Sequence, residues 1–212
     1  MKVSVVNYGM GNIFSLSNAL KKVGGEFHIV NSEKDVLNAD KLLLPGVGNF
    51  CKAMKILKEL GLDSTIKIAA AQNKPILGIC LGQQLLMDTS EEGSITKGLG
   101  LIPGEVRYFY QDPNFNAEKV PNIGWMNVQH PVLSKGKFKD RLLSGLEYGF
   151  ESYFVHSLFV RTRHKEDTLA VSQYGDMQFS SVVKKGSVMG CQFHPEKSGE
   201  AGLRILKNFI DL

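Results

Sequence analysis

Cysteine is scarce in this chain: three in 212 residues, at Cys51, Cys80 and Cys191. An odd, sparse set makes no disulfide framework and favours a reducing compartment. Long apolar runs are missing as well. No stretch approaches the roughly 20 apolar residues of a spanning helix, and the short apolar run after Lys2 is too brief for a signal h-region. Neither charge sign is in large excess, with 25 basic and 21 acidic residues and a net charge of +4. The densest basic clusters, Lys135 to Arg141 and Arg161 to Lys165, read as solvated loop faces rather than nucleic-acid tracks. Internal repeats, low-complexity tracts and linkers are absent too. These absences lead us to expect a soluble, cytoplasmic protein that engages neither membrane nor nucleic acid. The length suffices for one domain with a sizeable core.

Apolar runs and glycines then set out the elements that are present. Val3 to Val6, Phe27 to Val30, Lys41 to Pro45 and Pro75 to Ile79 read as strands. Helical spacing predicts helices over Ile13 to Val23, Cys51 to Leu60, Thr65 to Gln72 and Leu81 to Met87. Strands alternating with helices imply right-handed crossovers and a parallel sheet covered on both faces. After about Gly98 the texture changes to short β-like runs with polar breaks, which predict antiparallel strands, and "GEAGLRILKNFIDL" closes the chain as a helix. The expected fold is a single α/β domain. It has a central, mostly parallel sheet flanked by helices and a smaller antiparallel β portion in the C-terminal half.

One cysteine stands between two glycines, directly after an apolar strand: Gly78-Ile79-Cys80-Leu81-Gly82. This is the G-x-nucleophile-x-G form of a strand-to-helix elbow, where neighbouring Cβ atoms would collide and the nucleophile sits on a strained backbone. The thiol would lie at the carboxyl end of a sheet strand and at a helix N-terminus, whose dipole favours the thiolate. Cys51, in an apolar helix pattern, and Cys191, in a strand, read as core residues.

A nucleophilic thiol needs a base, and the base needs an orienting group. Among five histidines, His28 sits within a strand and His130 and His164 in polar stretches, which suits surface or packing roles. His194 differs, because "GCQFHPEKSGE" ends a strand with His-Pro-Glu: Pro195 forces the chain out of the sheet, and Glu196 can turn back toward the imidazole. The glycine-rich turn in "LLLPGVGNF" can aim backbone N–H groups at a ligand, and the Leu81 N–H is the natural second donor for an oxyanion. Cys191 and His194 have short spacing but no second ligand pair, so no metal site is expected, and nothing calls for a cofactor.

Together "PGVGNF", "GICLGQQLL" and "GCQFHPEKS" resemble, in order, the blocks of the class I (triad) glutamine amidotransferases. "NYGMGN", "SEEG", "GLGLIPG", "VPNIGW" and "YFVHS" add a likeness within that family to the glutaminase subunits of imidazole glycerol phosphate synthases, of histidine biosynthesis. The likeness runs from the first strand to the last helix, so residues 1–212 are expected to form one type 1 amidotransferase domain. The resemblance implies that Cys80 attacks the side-chain amide of L-glutamine, with His194 as proton carrier and Glu196 as its orienter. It further implies that Gly48 and Leu81 frame the oxyanion hole, that Gln84 and Glu92 hold the amino-acid end, and that His156 and Ser157 wall the pocket. A (β/α)₈-barrel cyclase is the implied partner in a heterodimer, docking near "NYGMGN" and "VPNIGWM". Activity would depend on that partner through a movement of the "PGVG" turn. Three departures stand in blocks associated with the partner: Asn122 where the family has His, Met126 where it has Asn, and Leu158 where it has Tyr. They leave open a paralogous pair that aminates another metabolite, such as a surface sugar.

Overall fold

Parallel strands buried on both faces read as continuous apolar runs, and three such runs build the centre of the molecule. The computed structural model describes residues 2–116 and 119–212. In it β1 (Val3–Val6), β3 (Lys41–Gly46) and β4 (Ile76–Cys80) are buried along their whole length, while β2 (Phe27–Val30) is the half-exposed edge. The crossovers run through α1 (Ile13–Lys22), α2 (Glu33–Leu37), α3 (Phe50–Glu59) and α4 (Leu62–Ala71), and α5 (Leu81–Leu85) follows β4 directly. Then come β5 (Thr89–Ser90), β6 (Thr96–Lys97), β7 (Gly104–Tyr108), β8 (Asn122–Val128), β9 (Phe150–His156), β10 (Leu158–Thr162), β11 (Thr168–Tyr174), β12 (Met177–Lys185), β13 (Val188–Cys191) and the closing α6 (Gly199–Asp211).

The main sheet has the order β2-β1-β3-β4-β13-β12-β10-β7-β5-β6, with β11 also paired to β12. It is parallel from β2 to β13 and largely antiparallel beyond, the short β5–β7 pair excepted. The last sheet strand of the chain, β13, thus lies beside β4. Strands β8 and β9 form a separate antiparallel ribbon.

Because side chains alternate along a strand, the two faces bury different residues. Val3, Val5, Leu43, Leu77 and Ile79 pack under α1 and α6, whereas Leu42, Leu44 and Ile76 pack under α3 and α4. A lysine is among the polar side chains buried in this core. Lys41, 1% exposed, extends its Nζ to the carbonyls of Phe209 (3.4 Å) and Ile210 (2.5 Å), satisfying acceptors that the end of α6 leaves open. Burial lowers its pKa, the nearby Asp211 opposing that shift.

The expected architecture is the observed one, with local differences. Helix α4 begins three residues earlier than periodicity suggests, because Gly61 in the left-handed region (φ 68°) opens it and brings Leu62 onto the buried face with Ile66. The short α2 escapes a periodicity argument with its five residues, although Ser32 caps it through Asp35 N–H. The run "YFVHSLFV" is two strands, broken at Ser157: β9 belongs to the ribbon and β10 to the main sheet.

Candidate active site

Cys80 closes β4 at φ 55° and ψ −111°, one of two non-glycine residues with positive φ among those described. Its glycine neighbours are compelled. A Cβ on Gly78 would stand 2.5 Å from the carbonyl oxygen of Gly82, and one on Gly82 would stand 1.7 Å from that of Leu44. Register then assembles the site. On one side β3 pairs Gly46 with Cys80, which sets the Pro45–Gly48 turn beside the thiol. On the other side β13 pairs Cys191 with Ile79, so the next residues, Gln192 to His194, arrive at the same carboxyl edge.

His194 is anchored by its backbone. Its N–H donates to Tyr153 O (3.0 Å), and Ser198 Oγ donates to His194 O (2.6 Å) while accepting from Tyr153 N–H (3.0 Å). The imidazole Nδ1 meets Glu196 Oε1 at 2.9 Å, with both side chains almost fully buried. A carboxylate only accepts, so Nδ1 carries a proton and Nε2 is the atom left to exchange one. Nε2 has no hydrogen-bond partner of regular geometry among the described residues. Burial by itself lowers the His194 pKa, but the Cys80 thiolate and the carboxylate of Glu196 outweigh it and raise the value to about 10. The imidazolium is therefore the stable form at neutral pH.

A cavity of about 280 Å³ opens over the thiol, lined by Val47, Gly48, Cys80, Leu81, Gln84, Glu92, Pro121, Val155, His156, Ser157, Leu158 and His194. Of the residues expected to form the triad, the oxyanion hole and the substrate pocket, all line it except Glu196, which sits behind His194. Glu92 Oε2 accepts from Phe50 N–H, the first amide of α3. Gln84 Nε2 donates to Leu158 O (3.2 Å) and Gln192 Oε1 (3.1 Å), so the group it offers a ligand is its acceptor oxygen. In the turn, Gly48 has φ 98° and the Val47 N–H donates to Met10 O (3.2 Å).

His156 is a fixed wall rather than a free base. Its Nδ1 bonds Leu158 O (2.7 Å), its Nε2 lies 3.0 Å from Asn122 Nδ2, and Phe109 and Phe179 flank the ring. Burial lowers its pKa to about 4, against the opposing bond to Leu158.

The three departures have different surroundings. Asn122 is buried, with its Nδ2 2.9 Å from Met126 Sδ and 3.0 Å from His156 Nε2, and Met126 is half-buried against the core under α6. The Leu158 side chain is buried in the opposite core, while its carbonyl meets His156 Nδ1. One expectation needs correcting. Cys51 is not a core residue but a half-buried one, its Sγ 3.0 Å from Glu92 O and 2.9 Å from Thr96 Oγ1, holding the turn that carries Glu92. His130, as expected, has a local role, accepting from the N–H groups of Val132 and Leu133.

Gln192 and Tyr8 went unnoticed. Gln192 stands two residues before His194, in the bend that follows β13, and its role depends on partners distant in the chain. Tyr8 has a buried hydroxyl against Gly46, and burial, then the charge of Cys80, pushes its pKa up; nothing local in the sequence marks it. No group of three or more His, Cys, Asp or Glu among the described residues could hold a metal ion, and no described helix is long and apolar enough to cross a membrane.

Against known proteins, the family model of class-I glutamine amidotransferases matches residues 4–212. The chain is 46% identical to imidazole glycerol phosphate synthase subunit HisH of Methanosarcina barkeri (strain Fusaro), over all of this chain and 98% of that one. It is 43% identical to the protein of the same name from Bacillus cereus (strain B4264), over 98% and 93%. Among solved structures it resembles a glutamine amidotransferase (TM-score 0.74, 19% identity, 99% of each chain) and PurLQS from Thermotoga maritima (TM-score 0.74, 18% identity, 99% and 97%); at those identities the likeness concerns the fold.

Proposed function

The chain belongs to the class-I glutamine amidotransferases, and from that premise we propose that it is the glutaminase subunit of an imidazole glycerol phosphate synthase, its 212 residues forming one amidotransferase domain. The observation that carries the chemistry is the buried His194–Glu196 pair at the same sheet edge as the strained Cys80. The Cys80 thiolate attacks the side-chain carbonyl carbon of glutamine, and the oxyanion is received by the N–H groups of Gly48 and Leu81. The His194 imidazolium protonates the departing nitrogen, which leaves as ammonia and a thioester on Cys80. Neutral His194 then takes a proton from water, hydroxide opens the thioester, and glutamate departs with the thiolate restored. Glu196 keeps Nε2 directed at these transfers. The Gln84 oxygen and the Glu92 carboxylate suit the ammonium group of the substrate, and His156 and Ser157 bound the pocket.

Ammonia in neutral water is mostly protonated and then inert as a nucleophile, so a synthase must receive it directly. The proposed partner is a (β/α)₈-barrel cyclase. Ile123 and Trp125 on β8 are 60% and 54% exposed, and Phe14 at the start of α1 is 77% exposed, which suits a docking face near "NYGMGN" and "VPNIGWM". The Val47 N–H is committed to Met10 O, within that same face. Docking that draws Met10 away would free the turn to aim its donors, which accounts for activity that depends on the partner. The cytoplasm is the proposed compartment, since a thiol nucleophile must stay reduced.

The test is steady release of glutamate from glutamine by the complex, abolished by Cys80→Ala, together with rescue of a histidine auxotroph by the chain and its cyclase. Glutamate release without rescue would sink the histidine assignment and leave a paralogous pair that aminates another metabolite, such as a surface sugar.

A further inference from the structure

A single carbonyl sets the direction of a buried hydrogen-bond chain that ends on the nucleophile. Leu158 O can only accept, and it faces Gln84 Nε2 at 3.2 Å. The amide nitrogen of Gln84 is thereby identified, and its second proton points to Gln192 at 3.1 Å. The atom of Gln192 that meets a donor must be its oxygen, so its nitrogen is the atom left facing Cys80 Sγ, at 3.7 Å. The orientation of two amides, which side-chain shape alone does not reveal, follows from one backbone acceptor. Gln192 is 0% exposed and Gln84 5%, so both amides are shielded from bulk water.

The other contact of the sulfur runs the opposite way. Cys80 Sγ lies 3.9 Å from Val155 O, an acceptor that suits the thiol and opposes the thiolate. When the proton leaves Sγ, the Val155 contact is lost and the Gln192 N–H becomes a charge-assisted bond, the stronger kind.

We propose that Gln192 is a positioning residue of the glutaminase. Its amide stabilises the Cys80 thiolate and ties it to Gln84, so that the residue facing the amino-acid end of the substrate and the nucleophile are held in one rigid frame. The inference rests on the glutaminase reading only for its kinetic consequence; the effect on the thiolate stands apart from it. The remaining titratable groups around Sγ are His194 beyond β13, Tyr8 after β1 and Cys191 on β13. None is altered by substitution at position 192.

The experiment measures the pH dependence of Cys80 alkylation by iodoacetamide, followed by mass spectrometry of the Cys80 peptide, in the wild-type chain, Gln192→Leu and Gln192→Met. Loss of a hydrogen bond to a charged group is expected to raise the alkylation midpoint by about one to two pH units. In the complex with the cyclase, kcat for glutamate release should fall roughly ten- to a hundred-fold. A purely structural role would lower the unfolding midpoint and leave the alkylation midpoint in place, and that result overturns the proposal. Gln192→Met keeps the chain length and reads the same midpoint should Gln192→Leu fail to fold. A wild-type complex that releases no glutamate would sink the glutaminase reading while leaving the alkylation result to decide this one.

Discussion

Gly82 lies so close to Leu44 that a Cβ on the glycine would stand 1.7 Å from the Leu44 carbonyl oxygen. The first turn of α5 therefore rests on the backbone of β3, and the elbow that presents Cys80 fits because position 82 carries no side chain. Gly82→Ala is expected to destabilise the fold by ~3 kcal/mol or more, in the class of severe core overpacking. Urea unfolding checks it; a loss under ~1 kcal/mol would show that the two backbones can part.

Glu196 holds the proton on His194, and the sign of its effect on pH follows. The His194 pKa is raised from 6.5 to about 10, so the imidazolium that protonates departing ammonia is present below about 10 and lost above it. Glu196→Gln removes one of the groups that raise it, which moves the high-pH limb of kcat/KM to lower pH. The rate should also fall at least roughly a hundred-fold. The stability contributed by the raised pKa is whole below about pH 6.5 and is lost as pH rises toward 10, so the variant should lose less stability across that window than the wild type. An unmoved alkaline limb would refute the assignment.

Asn122 partners a buried imidazole nitrogen, and Asn122→Leu leaves His156 Nε2 without its donor in an aromatic setting. The expected cost is about 1–3 kcal/mol of stability. Nitrogen-15 shifts of His156 should report the Nδ1–H tautomer at neutral pH in the wild type, because Leu158 O accepts from that atom.

Trp125 offers the largest exposed aromatic surface on β8 and meets Tyr153 edge-on at 6.1 Å, a contact with its own subunit that does not bury it. Trp125→Ala should weaken binding of the cyclase by ~2 kcal/mol, about thirty-fold in Kd, with the unfolding midpoint of the isolated chain little changed. Calorimetric titration with the cyclase subunit reads it; unchanged affinity would move the docking face elsewhere.

Much of the site was legible along the chain because its chemistry is written in local constraints. Glycines at 78 and 82 mark a turn where side chains cannot fit, and Pro195 marks the point where a strand must end beside His194. Gln192 was missed because glutamine carries no such constraint, and its role depends on Gln84 and Leu158, 108 and 34 positions away (192 − 84 and 192 − 158). Cys51 was misplaced because helical periodicity describes a face and not what covers it; the turn that carries Glu92 covers only part of that face.

By itself, then, the sequence determined the alternation of buried strands and helices, the elbow at Cys80 and the proximity of Glu196 to His194, since each rests on contacts within a few residues. Tertiary structure alone decided that β13 lies against β4, which brings residues 192–194 to the thiol. It also decided that Asn122 turns inward upon His156. Strand order and side-chain direction are settled by burial across the whole sheet, where distant segments compete for the same apolar faces, and no short stretch of sequence carries that information.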